Sequence, residues 1–395
     1  MKTWFSLAVY LSVLVGATGC ETLGAIDEGL YKAVPLHPVT GEPMANLVSE
    51  EQEIGKAREE WMTLAREAAA KGVPVDPQGP RLDQIRSVFR RLVAVAHRQH
   101  LPWEIHLFDH ETVNAMTVGG GMVFVFSGIF TDYPRHRGFL RPDDDEIAAV
   151  LAHEIAHVTL MHLPERETSG WFTHRDEKDR YYGAAYTTRD EAEADKLSML
   201  YIALAGFDPN AAVTIWNRAH RIYGSDPRRT FYLDDHPMNA DRMRANAELV
   251  RVVAPYSVGH GARNPDWRTI LDDNPLFPRA RAPAYSPGTG TAQAAAVVLR
   301  SMAQHEKTKA EAARRKTLAR QEVGRQQSLV QLLQVTSRTD AQGQPAIYMQ
   351  FRNASSLQVS YLSRDMNLSA LRGHVLFRTS LVELARFPSA RGVGP

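Results

Sequence analysis

Apolar and polar positions change period several times along this chain, and each change marks an element. Residues 4–15 form a mostly apolar run without charge, behind Met1 and Lys2. Residues 21–48 hold Pro35, Pro38, Pro43 and Gly41 and predict an extended tether. Ser49, Glu50, Glu51 and Gln52 then have capping-box spacing, which predicts a helix running to about Lys71. After a break at Pro74 to Pro80, Ile85, Val88, Leu92 and Val95 recur at helical spacing. The period next shortens. Residues 103–108 and 113–117 read as strands, Gly119 to Gly121 as a turn, and Met122 to Phe126 as a buried strand. No Lys-Ser/Thr follows the three glycines, so they are not a phosphate loop.

Asp143, Asp144, Asp145 and Glu146 crowd acid where a helix dipole favours it, at the start of the next helix. That helix continues through Ile147, Val150, Leu151 and Ile155 and is expected to stop at Pro164. It is apolar nearly all round, so it is a core helix. Further helices are predicted from about Asp190 to Ala205, from Asp208-Pro209 to Tyr223, and from after His236-Pro237 to about Val253. Residues 256–292 are rich in Pro, Gly, Ser and Thr and read as linker. Residues 293–335 read as a long basic helix whose charge is a solvated face, not a surface for membrane or nucleic acid. Alternation in 347–351 and 357–361 completes a small C-terminal module, 293–395, with no role assigned. No repeat period is present. The expected class is α+β, mainly helical, with a small sheet packed on the core helix.

Composition changes this picture at one point. With 395 residues, 44% apolar, and a net charge of +1, the chain can build a proper core and has no global electrostatic case for nucleic acid. Its single cysteine, Cys20, can form neither an internal disulfide nor a multi-thiolate metal site. The apolar run reads as a signal peptide over residues 1–19. Ala17, Thr18 and Gly19 before Cys20 resemble the bacterial lipobox, which implies cleavage before Cys20 and its acylation, leaving 20–48 as a lipidated tether. Glu21 in place of Asp after the cysteine implies, by the same resemblance, a Gram-negative outer membrane and its periplasmic face. The bland readings are an ordinary signal peptide with a coincidental cysteine, or a short transmembrane anchor. Spanning takes about 20 residues, more than this run offers.

The core helix carries the chemistry. His153 and His157 stand at i, i+4 and share a face, where each can offer a ring nitrogen to zinc, with Glu154 beside them to take a proton from water activated there. A chance match on a polar helix is the alternative, but three ionisable side chains without partners in an apolar helix would be costly. Such a site needs a third ligand. Glu191 and Asp195 also share a face at i, i+4, so Glu191 would bind zinc and Asp195 would accept a hydrogen bond from the far nitrogen of a ligating histidine. Glu193 points elsewhere on this helix, and Glu193→Gln is expected to do little. A solvated helix start is the bland reading of these acids; the upstream pentapeptide decides against it.

Taken in order, these pieces resemble metallopeptidase family forty-eight, the zinc endopeptidases that include the CAAX prenyl proteases, and in particular its soluble periplasmic lipoprotein branch. The matching residues are Ser49 to Glu53, Val113 to Ala115, Gly120 to Val125, Ser127-Gly128, His153 to Val158, His162, Glu191 to Asp195, Gly206 to Pro209, His236-Pro237 and Arg242. They place the resembling domain at 49–255 and imply a zincin-like core. The resemblance implies one Zn2+ per chain on His153, His157 and Glu191, with Glu154 as general base and acid. It implies His236 and Arg242 near the substrate carbonyl, stabilising the oxyanion. It further implies a strand edge at Asn114, Ala115, Met116 and Thr117 on which an extended substrate adds by β-pairing. One departure stands out: residues 167–189 are shorter and more charged than the segment such relatives place there, so no plug or lid is carried over.

The function expected is zinc-dependent cleavage of misfolded or unassembled cell-envelope proteins, with the outer-membrane assembly machinery as a possible partner. The rival from another class is a zinc-containing, chaperone-like binding module with little turnover. An intact Glu154, which metal binding does not need, argues against it. A purely structural zinc site is disfavoured because three protein ligands leave a fourth position open.

Overall fold

A computed structural model describes residues 20–44, 46–134, 138–172, 186–223, 236, 240–278, 285–328, 330–339, 345–353, 359–363, 366–370 and 373–380. The signal peptide, 1–19, lies outside them, as does 173–185, which holds most of the charged segment. Two compact units divide the chain, residues 1–308 and 309–395.

The first unit is mainly helical. Its elements are α1 (Cys20–Ala33), α2 (Glu50–Ala70), α3 (Pro80–Val93), β1 (Glu104–Phe108), β2 (Ala115–Gly119), β3 (Met122–Phe126), α4 (Asp144–Thr159), α5 (His162–Phe172), α6 (Thr188–Leu204), α7 (Asn210–Tyr223), α8 (Ala240–Val253) and α9 (Trp267–Asp272). Helix α10 (Thr289–Ser328) begins in this unit, and strands β4 (Val330–Thr339), β5 (Pro345–Asn353), β6 (Val359–Ser363), β7 (Met366–Ala370) and β8 (Gly373–Ser380) follow it. In the second unit β4, β5 and β8 form one antiparallel sheet and β6 pairs with β7.

Helix α4 is the centre of the first unit. Every residue from Glu146 to Thr159 is buried, as the all-round apolar pattern requires. Its N-terminus is capped by the Asp143 carboxylate, which accepts from the backbone N–H groups of Asp145 and Glu146. On one side it meets the sheet, ordered β1-β3-β2, with β1 parallel and β2 antiparallel to β3. On another it packs along α6 and α3, with Ile85, Leu92, Leu151, Ile155, Leu197 and Leu200 in one continuous core.

Arg98 ties three of these parts together from within. It donates to both Glu53 carboxylate oxygens, at 2.7 and 3.4 Å, and to the Val158 carbonyl at 2.9 Å. Glu53 in turn accepts the Gly120 N–H at 2.9 Å. The pair therefore joins α2, the β2–β3 turn and the free carbonyls at the C-terminus of α4. Gly120 is needed there: its φ is +58°, and a Cβ would come within 2.9 Å of the Ala57 Cβ.

Four expectations change. The tether is not extended throughout, because Cys20–Ala33 is helical. Asp27 of that helix accepts the N–H groups of Gly288 and Thr291, capping the start of α10. Pro164 does not stop the metal helix. The chain turns at Met161, whose φ is +57°, and Pro164 sits in the first turn of α5, where its missing N–H costs nothing. The stretch 256–292 is not simply linker, since Trp267, Leu271 and Phe277 are buried in the main core. The long helix ends at Ser328 rather than 335, because Val330 to Val335 pair with β5. Among the described residues, no single helix is long and apolar enough to cross a membrane.

Candidate metal centre

Two buried helices supply the site. Helix α4 presents His153, Glu154 and His157, and α6 presents Glu191 and Asp195; all five are almost fully buried. A capping box at Thr187 and Asp190 sets where α6 begins and so which face turns to α4.

The donor atoms converge. His153 Nε2 and His157 Nε2 are 3.1 Å apart, and the Glu191 oxygens lie 3.4 Å from the first and 3.5 Å from the second. His236 Nδ1 is 3.3 Å from His153 Nε2 and 3.0 Å from Glu191 Oε1. One donor atom from each of these four residues falls within 4.8 Å of all the others. A tetrahedron with arms of about 2.0–2.1 Å has edges of about 3.3–3.4 Å. The separations match, and the donor set is two imidazoles, a carboxylate and a third imidazole, chemistry that suits zinc.

Electrostatics agree. Burial would raise the Glu191 carboxyl, yet the charges of His236 and Arg242 hold it well below the usual range, so it is ionised. Burial pushes His157 well down, keeping it neutral as a ligand must be. His153 behaves differently: burial would lower it, but Asp195 and Glu191 favour a proton there and raise it. The same two carboxylates favour a dication in that place.

The ligands are held from behind. His153 Nδ1 faces Asp195 Oδ1 at 3.2 Å, the contact expected to fix its tautomer. His157 stacks on Tyr186, with centroids 3.7 Å apart, and its Nδ1 lies 2.8 Å from His162 Nδ1. Nothing in the sequence reading singled out Tyr186. Glu193 stays out of the donor set, as expected, and lies 3.6 Å from His162 Nε2.

Two further sequence-predicted residues reach the donor atoms themselves. His236, anticipated beside the substrate carbonyl, has Nδ1 among the donor atoms and Nε2 3.4 Å from Glu154 Oε1. Arg242 on α8 grips Asp195 and also lies 2.7 Å from Glu191 Oε2. Its guanidinium thus meets two carboxylates of the centre. The proposed substrate edge is β2, one of the two outer strands of the sheet, with Asn114 just before it. Asn114, Ala115 and Thr117 are buried and Met116 partly so, while α2, α4 and α5 all pack against the strand. Cys20 opens α1, away from these residues in sequence and element.

This buried centre of histidines and carboxylates is able to hold a metal ion, and the comparisons with known proteins point to metallopeptidases. Residues 81–170, which include the His153–His157 pentapeptide, match the model of Peptidase family M48. The mitochondrial metalloendopeptidase OMA1 of Schizosaccharomyces pombe is 29% identical over 52% of the chain and 64% of that relative. The beta-barrel assembly-enhancing protease of Yersinia pestis is 28% identical over 61% of the chain and 53% of its own length. Its namesake in Escherichia coli is 26% identical over 42% and 38%. The chain thus spans less than two thirds of each of these relatives.

Proposed function

We propose that this protein is a zinc-dependent endopeptidase of the bacterial cell envelope, cleaving misfolded or unassembled envelope proteins. One observation carries the reading: four donor atoms at tetrahedral spacing lie in a buried pocket with a carboxylate, Glu154, that is not among them. Zinc held there supplies Lewis acidity, polarising a carbonyl and making water acidic enough to deprotonate near neutral pH. Glu154 accepts the proton from the attacking water and delivers it to the leaving amine. Asp195 and Arg242 keep His153 and Glu191 in register. A catalytic metal would need one of these four positions for substrate, and His236, whose Nε2 lies 3.4 Å from Glu154 Oε1, would be the side chain to yield it. Its Nε2 is then the group best placed to meet the substrate oxygen.

The envelope setting rests on the signal peptide and Cys20, and on bacterial relatives named for enhancing β-barrel assembly. In this reading the mature chain is anchored through acylated Cys20 at the periplasmic face of the outer membrane, near the barrel-assembly machinery. The test is digestion of an unfolded outer-membrane barrel protein by the full chain, with and without chelator, beside Glu154→Gln. Chelator-sensitive cleavage that the variant lacks supports the proposal. A zinc-loaded protein that holds the substrate without cutting it points to a binding module. Cys20→Ser should abolish acyl labelling and membrane attachment; labelling that persists sinks the anchor.

A further inference from the structure

Outside the donor set, one buried histidine has no duty in the mechanism above. His162 is 2% exposed, at the first position of α5. Its Nδ1 faces His157 Nδ1 at 2.8 Å, and its Nε2 faces Glu193 Oε2 at 3.6 Å. Glu193 is steadied by Arg189, which donates to its other oxygen at 2.9 Å. We propose that His162 and Glu193 are positioning residues for the metal site: His162 is hydrogen-bonded to His157 and sets its tautomer and ring orientation, and the Glu193 carboxylate near His162 Nε2 favours the tautomer that His162 needs. This rests on His157 being a metal ligand.

The argument is proton bookkeeping. His157 presents Nε2 to the other donors, so as a neutral ligand it carries its hydrogen on Nδ1. That hydrogen points at His162 Nδ1, which must then be an accepting lone pair. A neutral His162 with a bare Nδ1 carries its hydrogen on Nε2, and the negative charge nearest Nε2 is the Glu193 carboxylate at 3.6 Å, which favours that tautomer electrostatically without a direct hydrogen bond. The arrangement parallels the direct contact of His153 with Asp195, with an imidazole inserted between ligand and carboxylate.

The same bookkeeping disposes of a competing use. His162, Asp190 and Glu193 could by proximity hold a second cation. A metal on His162 Nε2 would leave the hydrogen of that neutral ring on Nδ1, facing the Nδ1 hydrogen of His157 across 2.8 Å. Asp190 is also engaged, accepting the Thr187 N–H at 3.0 Å in the capping box. The 2.8 Å contact between the two Nδ1 atoms fits one metal with His162 behind it and not a second metal on His162 Nε2.

The test is zinc affinity by chelator competition in the full chain, with thermal unfolding of the metal-stripped protein as the control for structure. His162→Phe should weaken zinc by about 10–100-fold. His162→Asn, which restores an acceptor at the Nδ1 position, should recover most of that loss, and the two metal-free variants should melt alike. Glu193→Ala should weaken zinc in the same direction, contrary to the small effect that helix periodicity alone predicts for Glu193, and it carries the test if the Phe variant does not fold. Zinc affinity within about twofold of wild type in both His162→Phe and Glu193→Ala, while His157→Ala loses the metal, overturns the positioning role alone. A second bound equivalent that disappears in His162→Phe also overturns it, in favour of a second metal. Retention of zinc by His157→Ala would instead show that the ligand assignment beneath it is wrong.

Discussion

Arg242 holds Asp195 in a two-pronged grip: Nε donates to Oδ2 and Nη2 to Oδ1, each at 2.8 Å, with both side chains buried. Asp195 in turn faces the His153 ring, so the arginine orders a ligand through a carboxylate. Arg242→Lys keeps the charge and loses the fork. Zinc affinity should therefore fall by about 10–100-fold, measured by chelator competition. Unchanged affinity with a reduced kcat would return Arg242 to the substrate carbonyl.

Glu154→Gln should separate metal binding from catalysis. The variant keeps its volume and every donor atom of the centre. Zinc content by elemental analysis should stay near one per chain, while peptide cleavage falls by about 10²–10⁴ or more. Full cleavage by the variant would require another base.

Glu191→Gln attacks the metal itself. The carboxylate is the only anionic donor among the four, and the substitution also leaves Arg242 facing a neutral amide. The purified variant should lose both zinc and activity, as judged by metal analysis and peptide cleavage. A zinc-replete Gln variant would remove Glu191 from the ligand set.

The Arg98–Glu53 pair predicts stability, not activity. Both side chains are at most 5% exposed. Arg98→Ala leaves a carboxylate buried without its cation and should cost about 3–5 kcal/mol in denaturant unfolding. A loss below about 1 kcal/mol, the size of an exposed pair, would mean water reaches Glu53.

Acid should weaken a second pair. Arg218 donates to the Glu146 oxygens at 2.5 and 2.8 Å. Burial would raise this carboxyl, but Arg218 and the Arg141 backbone N–H hold it below the usual range. The folded state therefore binds this proton less readily than the unfolded chain does. Its contribution is complete above the ordinary carboxylate pKa of about 4.3 and is lost as pH falls through the depressed folded value. Arg218→Ala should lose about 1–3 kcal/mol at neutral pH. In unfolding of the metal-stripped protein, its stability should also fall less steeply than wild type between about pH 5 and pH 3. Equal slopes would assign the acid sensitivity to other groups.

Much of this was legible in one dimension because the information is local. The i, i+4 spacing of His153 with His157, and of Glu191 with Asp195, is a property of helical periodicity and survives any tertiary arrangement. The capping boxes at Ser49 and Thr187 and the buried strand at Met122–Phe126 are equally local, the first and last of these read directly from pattern. Where the reading erred, the missing information lay in distant partners. Helix α1 meets the start of α10 through Asp27, more than two hundred residues away in the chain, and no periodicity announces that contact. Residues 256–278 look like linker by composition, yet the core has room for Trp267 and Phe277.

The sequence alone therefore determined which side chains could reach a metal, because a helix turns one face to one side and the apolar pattern says that side is buried. What it could not determine is which charges meet once the helices dock. His162, Tyr186, His236 and Arg242 come from α5, α8 and the segments around them, and each meets the centre by tertiary packing. A buried charge must find its counterpart wherever the fold brings one, since leaving it alone in a dry interior is too costly. Only the packed structure decides that Arg242 turns to two carboxylates and that His162 stands behind a ligand.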